Sequence, residues 1–388
     1  MRKIFLLGLF LFLFISPAHA LTKVLGAGSN APYVQPGFCS LGTSLNLVYQ
    51  GTVNGASLDT PTIGVFRVAP FEGNGRGYAL SSDTALTRTY LVNFDLSGSA
   101  ATLPVQTGQV QINTANNPDL ANAIRAVIYD GSTFMGFGVQ VTAPCNITQC
   151  LHIRRYTGLT TVFDNALPGA LTIASAMTVL IQDAFTRTYW SIYSHPSGGS
   201  IAKLDSSLNV IGSTTPTTNI AFDLTSDGTS VYSIYLEGGI VHILKTNISN
   251  LTSVDFSYPT TTVTGGVAFL NGVLYASMVR AGNSELNTIN ITTGAVTGTL
   301  TLGAAEQVVS GGMATDPFNT KLYVVTNDGG TGARVRRINA TTFVSEQNIA
   351  IAQVPQTQGV GFDFARQNLY YSTINASLFK LSKVSLCS

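Results

Sequence analysis

The stretch that decides the fold is Thr315 to Phe343, TDPFNTKLYVVTNDGGTGARVRRINATTF. Asp316-Pro317-Phe318-Asn319 reads as a turn, and Lys321 to Thr326 as a strand rich in β-branched and aromatic residues. Asn327-Asp328-Gly329-Gly330 makes a hairpin, and Arg334 to Ile338 alternates like a half-buried strand. Asn339-Ala340-Thr341-Thr342 turns again and Phe343 opens the next strand. With the short segment Gly311 to Ala314 ahead of it, this is one four-stranded unit.

The unit repeats. An aromatic near the start of the second strand recurs at Tyr189, Tyr232, Tyr275, Tyr323 and Tyr370, spaced by 43, 43, 48 and 47 residues. Phe134 and Tyr78 continue the series upstream at spacings of 55 and 56. An Asx residue follows 15 to 17 residues later at Asp95, Asp205, Asn247, Asn290 and Asn339, where its side chain suits a turn. Glycine-rich first strands (Gly265-Gly266, Gly311-Gly312, Gly359 and Gly361) suit a crowded axis. A period of forty to fifty residues made of strands marks blades around an axis. Seven anchors predict an all-β, seven-bladed β-propeller of four-stranded antiparallel blades.

The last repeat lacks its fourth strand. Ser44 to Gly51 (SLNLVYQG) is expected to supply it, so that N- and C-terminal strands close the ring within one domain, residues 21–388. The third strand, Leu378 to Leu386, would then bring Cys387 close to Cys39, leaving Cys145 and Cys150 to pair locally. The expected disulfides are Cys39–Cys387 and Cys145–Cys150.

The D-P-x-x-x-x-L-Y-V pattern at Asp316 to Val324 resembles the YVTN-type propeller repeats of bacterial and archaeal surface-layer and other exported proteins. The likeness covers about the last 200 residues, and Tyr323-Val324-Val325-Thr326-Asn327 approximates the hallmark tetrad. It implies a fold and an extracellular setting, and no chemistry.

Residues 1–20 read as a signal peptide: Arg2 and Lys3, an apolar run from Ile4 to Ile15, and the cleavage site Ala18-His19-Ala20. Twelve apolar residues are too short a span for a bilayer, which takes about twenty. The expectation is a secreted protein, with no membrane insertion. Only 10% of residues are charged, and without Arg2 and Lys3 the chain carries 18 basic and 19 acidic side chains. That balance argues against a nucleic-acid partner. It points to self-association or to other extracellular proteins and glycans.

Chemical motifs are sparse. His152, His195 and His242 fall in separate blades, and Cys145, Cys150 and His152 lack a fourth zinc ligand. No nucleophile elbow, phosphate loop or calcium loop occurs. No catalytic, cofactor or metal residue is therefore assigned, and no cofactor is expected. A single Trp190 rules out blade motifs that repeat tryptophan. Six N-glycosylation sequons occur, at Asn146, Asn247, Asn250, Asn290, Asn339 and Asn375, three of them in the Asx-turn position. The functional reading is a non-catalytic structural or recognition subunit. The alternatives are an axial-funnel hydrolase or lactonase using Arg125, Asp183, Asp223 and Asp363, and a glycan-binding lectin.

Overall fold

The computed structural model describes residues 48–54, 61–68, 75–83, 89–98, 104–111, 127–129, 134–140, 150–167, 179–182, 188–195, 198–207, 209–214, 223–259, 265–303, 306–317, 320–328, 332–351, 354–355, 359–375 and 378–386. These form 28 strands in seven antiparallel four-stranded sheets. β1 (Val48–Asn54) precedes the first run of consecutive strands, β2 (Pro61–Val68), β3 (Arg76–Asp83), β4 (Thr89–Asp95) and β5 (Val105–Gln111). The next run is β6 (Val127–Tyr129), β7 (Phe134–Gln140), β8 (Cys150–Thr157) and β9 (Thr160–Leu167). Then come β10 (Val179–Gln182), β11 (Tyr189–His195), β12 (Gly198–Leu204) and β13 (Val210–Ser213). β14 (Asp223–Ser226), β15 (Ser230–Glu237), β16 (Ile240–Asn247) and β17 (Ser253–Pro259) follow. The fifth run is β18 (Val267–Leu270), β19 (Val273–Arg280), β20 (Asn283–Ile289) and β21 (Val296–Thr301). The sixth is β22 (Gln307–Asp316), β23 (Lys321–Asn327), β24 (Ala333–Asn339) and β25 (Val344–Ile351). β26 (Val360–Asp363), β27 (Asn368–Asn375) and β28 (Leu378–Ser385) complete their sheet with β1, in the order β1-β28-β27-β26.

β1 lies antiparallel to β28, from Val48 opposite Ser385 to Asn54 opposite Lys380, with a bulge between Tyr49 and Gly51. The pairing strand thus reaches three residues past the Gly51 end expected from the sequence. The first strands of successive sheets touch from β2 through β26, and β2 also lies against β26 and β27. Gly361 shows why a first strand is rich in small residues. A Cβ there would come within 2.9 Å of Phe66 and Val68 in β2. In β22 the pairing breaks between Val308 and Met313, and the intervening Gly311 takes φ +73°, a conformation open to glycine.

Tyr78, Tyr232, Tyr275, Tyr323 and Tyr370 each occupy the third position of a second strand and are fully buried. Two anchors need correction. Tyr232 pairs with Lys245, and the residue in the same register of the earlier sheet is Trp190, opposite Lys203, rather than Tyr189. In the β6–β9 sheet Met135, opposite Arg155, takes the place expected of Phe134. A one-residue slip moves a side chain to the other face of a strand, so an aromatic cannot be placed without its cross-strand partner.

The Asx turns are uniform. In all five, the side-chain oxygen accepts the amide two residues on: Ser97 to Asp95, Ser207 to Asp205, Ser249 to Asn247, Thr292 to Asn290 and Thr341 to Asn339, at 2.8 to 3.0 Å. The carbonyl just after the Asx residue then receives a donor from the preceding sheet. Arg155 reaches Ser206 at 2.7 Å, Lys203 reaches Ile248 at 2.7 Å and Lys245 reaches Ile291 at 2.8 Å. Between the next two sheets, where Thr288 is too short, the Tyr275 hydroxyl reaches Ala340 at 2.9 Å. These staples, three of them charged, tie neighbouring sheets together. Removing one by Lys245→Met keeps the aliphatic packing and loses the charge-assisted bond. Urea unfolding should show a loss of about 1–3 kcal/mol; an unchanged midpoint would mean the staple is idle.

Candidate functional site

The carboxylates proposed for an axial site are put to structural use. Asp223 accepts the backbone amide of Leu224 at 3.0 Å and that of Val267 at 3.2 Å, tying β14 to β18. Asp363, at the end of β26, accepts the Arg366 amide at 3.1 Å, and its second oxygen lies 3.7 Å from the Arg366 guanidinium. Burial pushes the Asp363 carboxyl up to about 6, against the opposing pull of Arg366. The two aspartates sit on different sheets and are not brought together. Arg125 and Asp183 lie outside the described residues, as do Cys39, Cys145, Cys387, Asn146 and the side chains of Cys150, His152, His195 and Asn375. Among the described residues no group of three or more His, Cys, Asp or Glu gathers in a metal-holding arrangement.

One tightly bonded group of charges escapes sequence reading. Glu306, just ahead of β22, meets Arg336 through two bonds of 2.5 and 2.8 Å. It also accepts Thr326 at 3.0 Å and lies 3.5 Å from Arg334. Burial raises its pKa, but Arg336, Thr326 and Arg334 together outweigh burial and hold it below the usual range.

His242, on β16, is the described histidine with polar company. Its Nδ1 lies 2.8 Å from Asp255 and 3.3 Å from Ser257, both on β17. A serine hydrolase places the nucleophile and the carboxylate on opposite ring nitrogens. Here both share Nδ1, so the carboxylate orients the ring without activating the serine. The imidazole stacks on Tyr235 with centroids 5.0 Å apart.

Tyr235 belongs to a cleft between the β10–β13 and β14–β17 sheets. Ile192, Ile201 and Leu244 form apolar walls, and Ser200, Thr214 and Tyr235 bring hydroxyls, around about 230 Å³ of space including the open mouth. Burial, then the negative charges of Asp255 and Glu237, push the Tyr235 hydroxyl up to about 12. The sequence marked neither wall, because these residues on the two walls lie 21 to 52 positions apart. An unpaired serine beside an aromatic has no spacing signature.

No family model matches this chain, and no curated protein matches it. Solved structures do. A chain of a mitotic checkpoint complex superposes with a TM-score of 0.59 at 12% identity, covering 90% of this chain and 98% of that one. The RRP9 WD40 repeats give 0.57 at 8% identity, covering 87% and 100%, and the Dos1 propeller gives 0.55 at 11%, covering 84% and 79%. The fold is a β-propeller. At such identities the likeness to other propellers carries architecture alone.

Proposed function

We propose that this chain is an exported, seven-bladed propeller that acts as a structural or recognition subunit in an extracellular or cell-surface assembly. The observation that carries the reading is where its buried and half-buried charges go. Asp223, Lys203, Lys245, Arg155 and Glu306 are all spent on bonds between strands and sheets. The polar surface left over is largely uncharged, which suits contact with proteins or glycans.

The apolar leader supports export, and the repeat pattern at Asp316 to Val324 supports a YVTN-type relationship. The pairing of β1 with β28 sets Val48 beside Ser385, which supports ring closure and favours the Cys39–Cys387 bridge in an oxidising compartment. Of the sequons, Asn290 is exposed, whereas Asn339 already donates its amide to Glu346 at 3.1 Å. Glycosylation is therefore better tolerated at Asn290.

The test uses the secreted full chain. Analytical ultracentrifugation with electron microscopy should reveal assembly, or cross-linking should capture a defined extracellular partner, while ester and lactone panels show no turnover. Turnover that disappears in Asp223→Asn or Asp363→Asn would replace this reading with an enzyme.

A further inference from the structure

We infer that the cleft between the β10–β13 and β14–β17 sheets binds the edge of a neutral, hydroxyl-rich ligand of the sugar class. This rests on the recognition reading and adds a site and a ligand chemistry to it. The first observation is Ser200, which is 3% exposed and lines the cleft. Its Oγ is buried and has no hydrogen-bond partner among the described residues. A buried orphan hydroxyl asks for a partner that enters from outside.

The second observation is what surrounds it. Thr214 Oγ1 accepts the Ile201 amide at 3.0 Å, so its own proton is available to a ligand. On the facing wall the Tyr235 hydroxyl makes no hydrogen bond among the described residues, while its ring is fixed against His242. His242 is fixed in turn by Asp255 at 2.8 Å. Hydroxyls on two walls with aliphatic Ile192, Ile201 and Leu244 between them match the alternation of hydroxyl and C–H surface on a sugar ring. The wall is held in place before binding, which lowers the ordering cost.

Charge narrows the class. The Asp255 carboxylate stands behind the Tyr235 wall, 2.8 Å from the His242 ring that stacks on it, which disfavours an anionic ligand there. Among the described residues no ionic side chain lines the cleft to pair with a charged ligand. The ligand is neutral, and because the enclosed part of the cleft is no larger than a single hydroxyl group, only one hydroxyl of its edge enters while the ring stays at the open mouth.

The experiment is saturation-transfer NMR and calorimetry on the secreted full chain. The panel holds glucose, galactose, mannose and N-acetylglucosamine, with glucuronate as the anionic probe and glycerol as the small polyol. At least one neutral hexose should bind, and glucuronate and glycerol should not. Tyr235→Phe and Ser200→Ala should each weaken binding about tenfold, the loss of one buried hydrogen bond. Ile211→Ser, on the exposed outer strand β13, should leave it unchanged. No hexose binding, or binding indifferent to both variants in folded protein, overturns the site. If the chain still assembles or captures a protein partner in that case, the recognition reading stands and only the cleft assignment falls.

Discussion

Glu306→Gln is expected to lower the unfolding free energy at neutral pH by about 3 kcal/mol, among the largest effects of any single polar change in this chain. Glu306 is 4% exposed, and its carboxylate accepts two bonds from Arg336, whose side chain is 12% exposed. Neutralising the acid leaves that guanidinium buried without its counter-charge, and the desolvation already incurred on folding is no longer offset. Arg334→Ala should cost less than about 1 kcal/mol, because that side chain is 38% exposed and sits at 3.5 Å. Replacing Glu306 and Arg336 together by methionine should recover most of the loss, since no lone charge then remains.

The pH dependence gives a second reading of the same pair. The folded carboxyl titrates below its ordinary range, so its stabilisation is present above the unfolded pKa of 4.5 and fades as pH falls through the folded value. Urea titrations at pH 7 and pH 3 should show a larger gap between parent and Glu306→Gln at the first than at the second. An equal gap at both pH values would mean the loss comes from packing rather than charge.

How much of this was legible beforehand depends on the range of the interaction. Turns are local, so Asp95, Asp205, Asn247, Asn290 and Asn339 declare themselves by type and spacing, and all five cap their turns. Strand pairing is set by alternation over a few residues, so the four-stranded unit at Thr315 to Phe343 could be read directly. Register is less local. Tyr189 and Trp190 are adjacent and both aromatic, and only the pairing with Lys203 decides between them. A signal was present all the same. Lys203, Lys245 and Lys383 each fall 13 residues after Trp190, Tyr232 and Tyr370, a regularity that stands out in a chain with so few charges. The Glu306 pair left no such trace, because carboxylate and guanidinium are 30 positions apart and meet only across β22, β23 and β24. The cleft is the extreme case, built by two sheets whose contact no local pattern encodes.

Asp363 should behave in the opposite sense to Glu306. Its folded carboxyl titrates at about 6 against an ordinary 3.8, because burial outweighs Arg366. The fold therefore prefers the protonated acid. That preference is fully expressed below the unfolded value and is lost as pH rises through the folded one, so stability declines across roughly pH 4 to 6. A shift of this size corresponds to about 3 kcal/mol at most. Asp363→Asn imitates the protonated state, keeps an oxygen for the Arg366 amide, and should raise stability at pH 7 by about 1–3 kcal/mol with little gain at pH 4. The surroundings make the outcome informative. Arg366 also acts on Asp95, and a Cβ at Gly75 would come within 2.8 Å of its guanidinium, so the arginine bridges β26 to the neighbouring β2–β5 sheet. If Asp363→Asn instead weakens the protein at pH 7, the aspartate is anchoring that bridge as an anion, and its pairing with Arg366 must be tighter than the 3.7 Å separation implies.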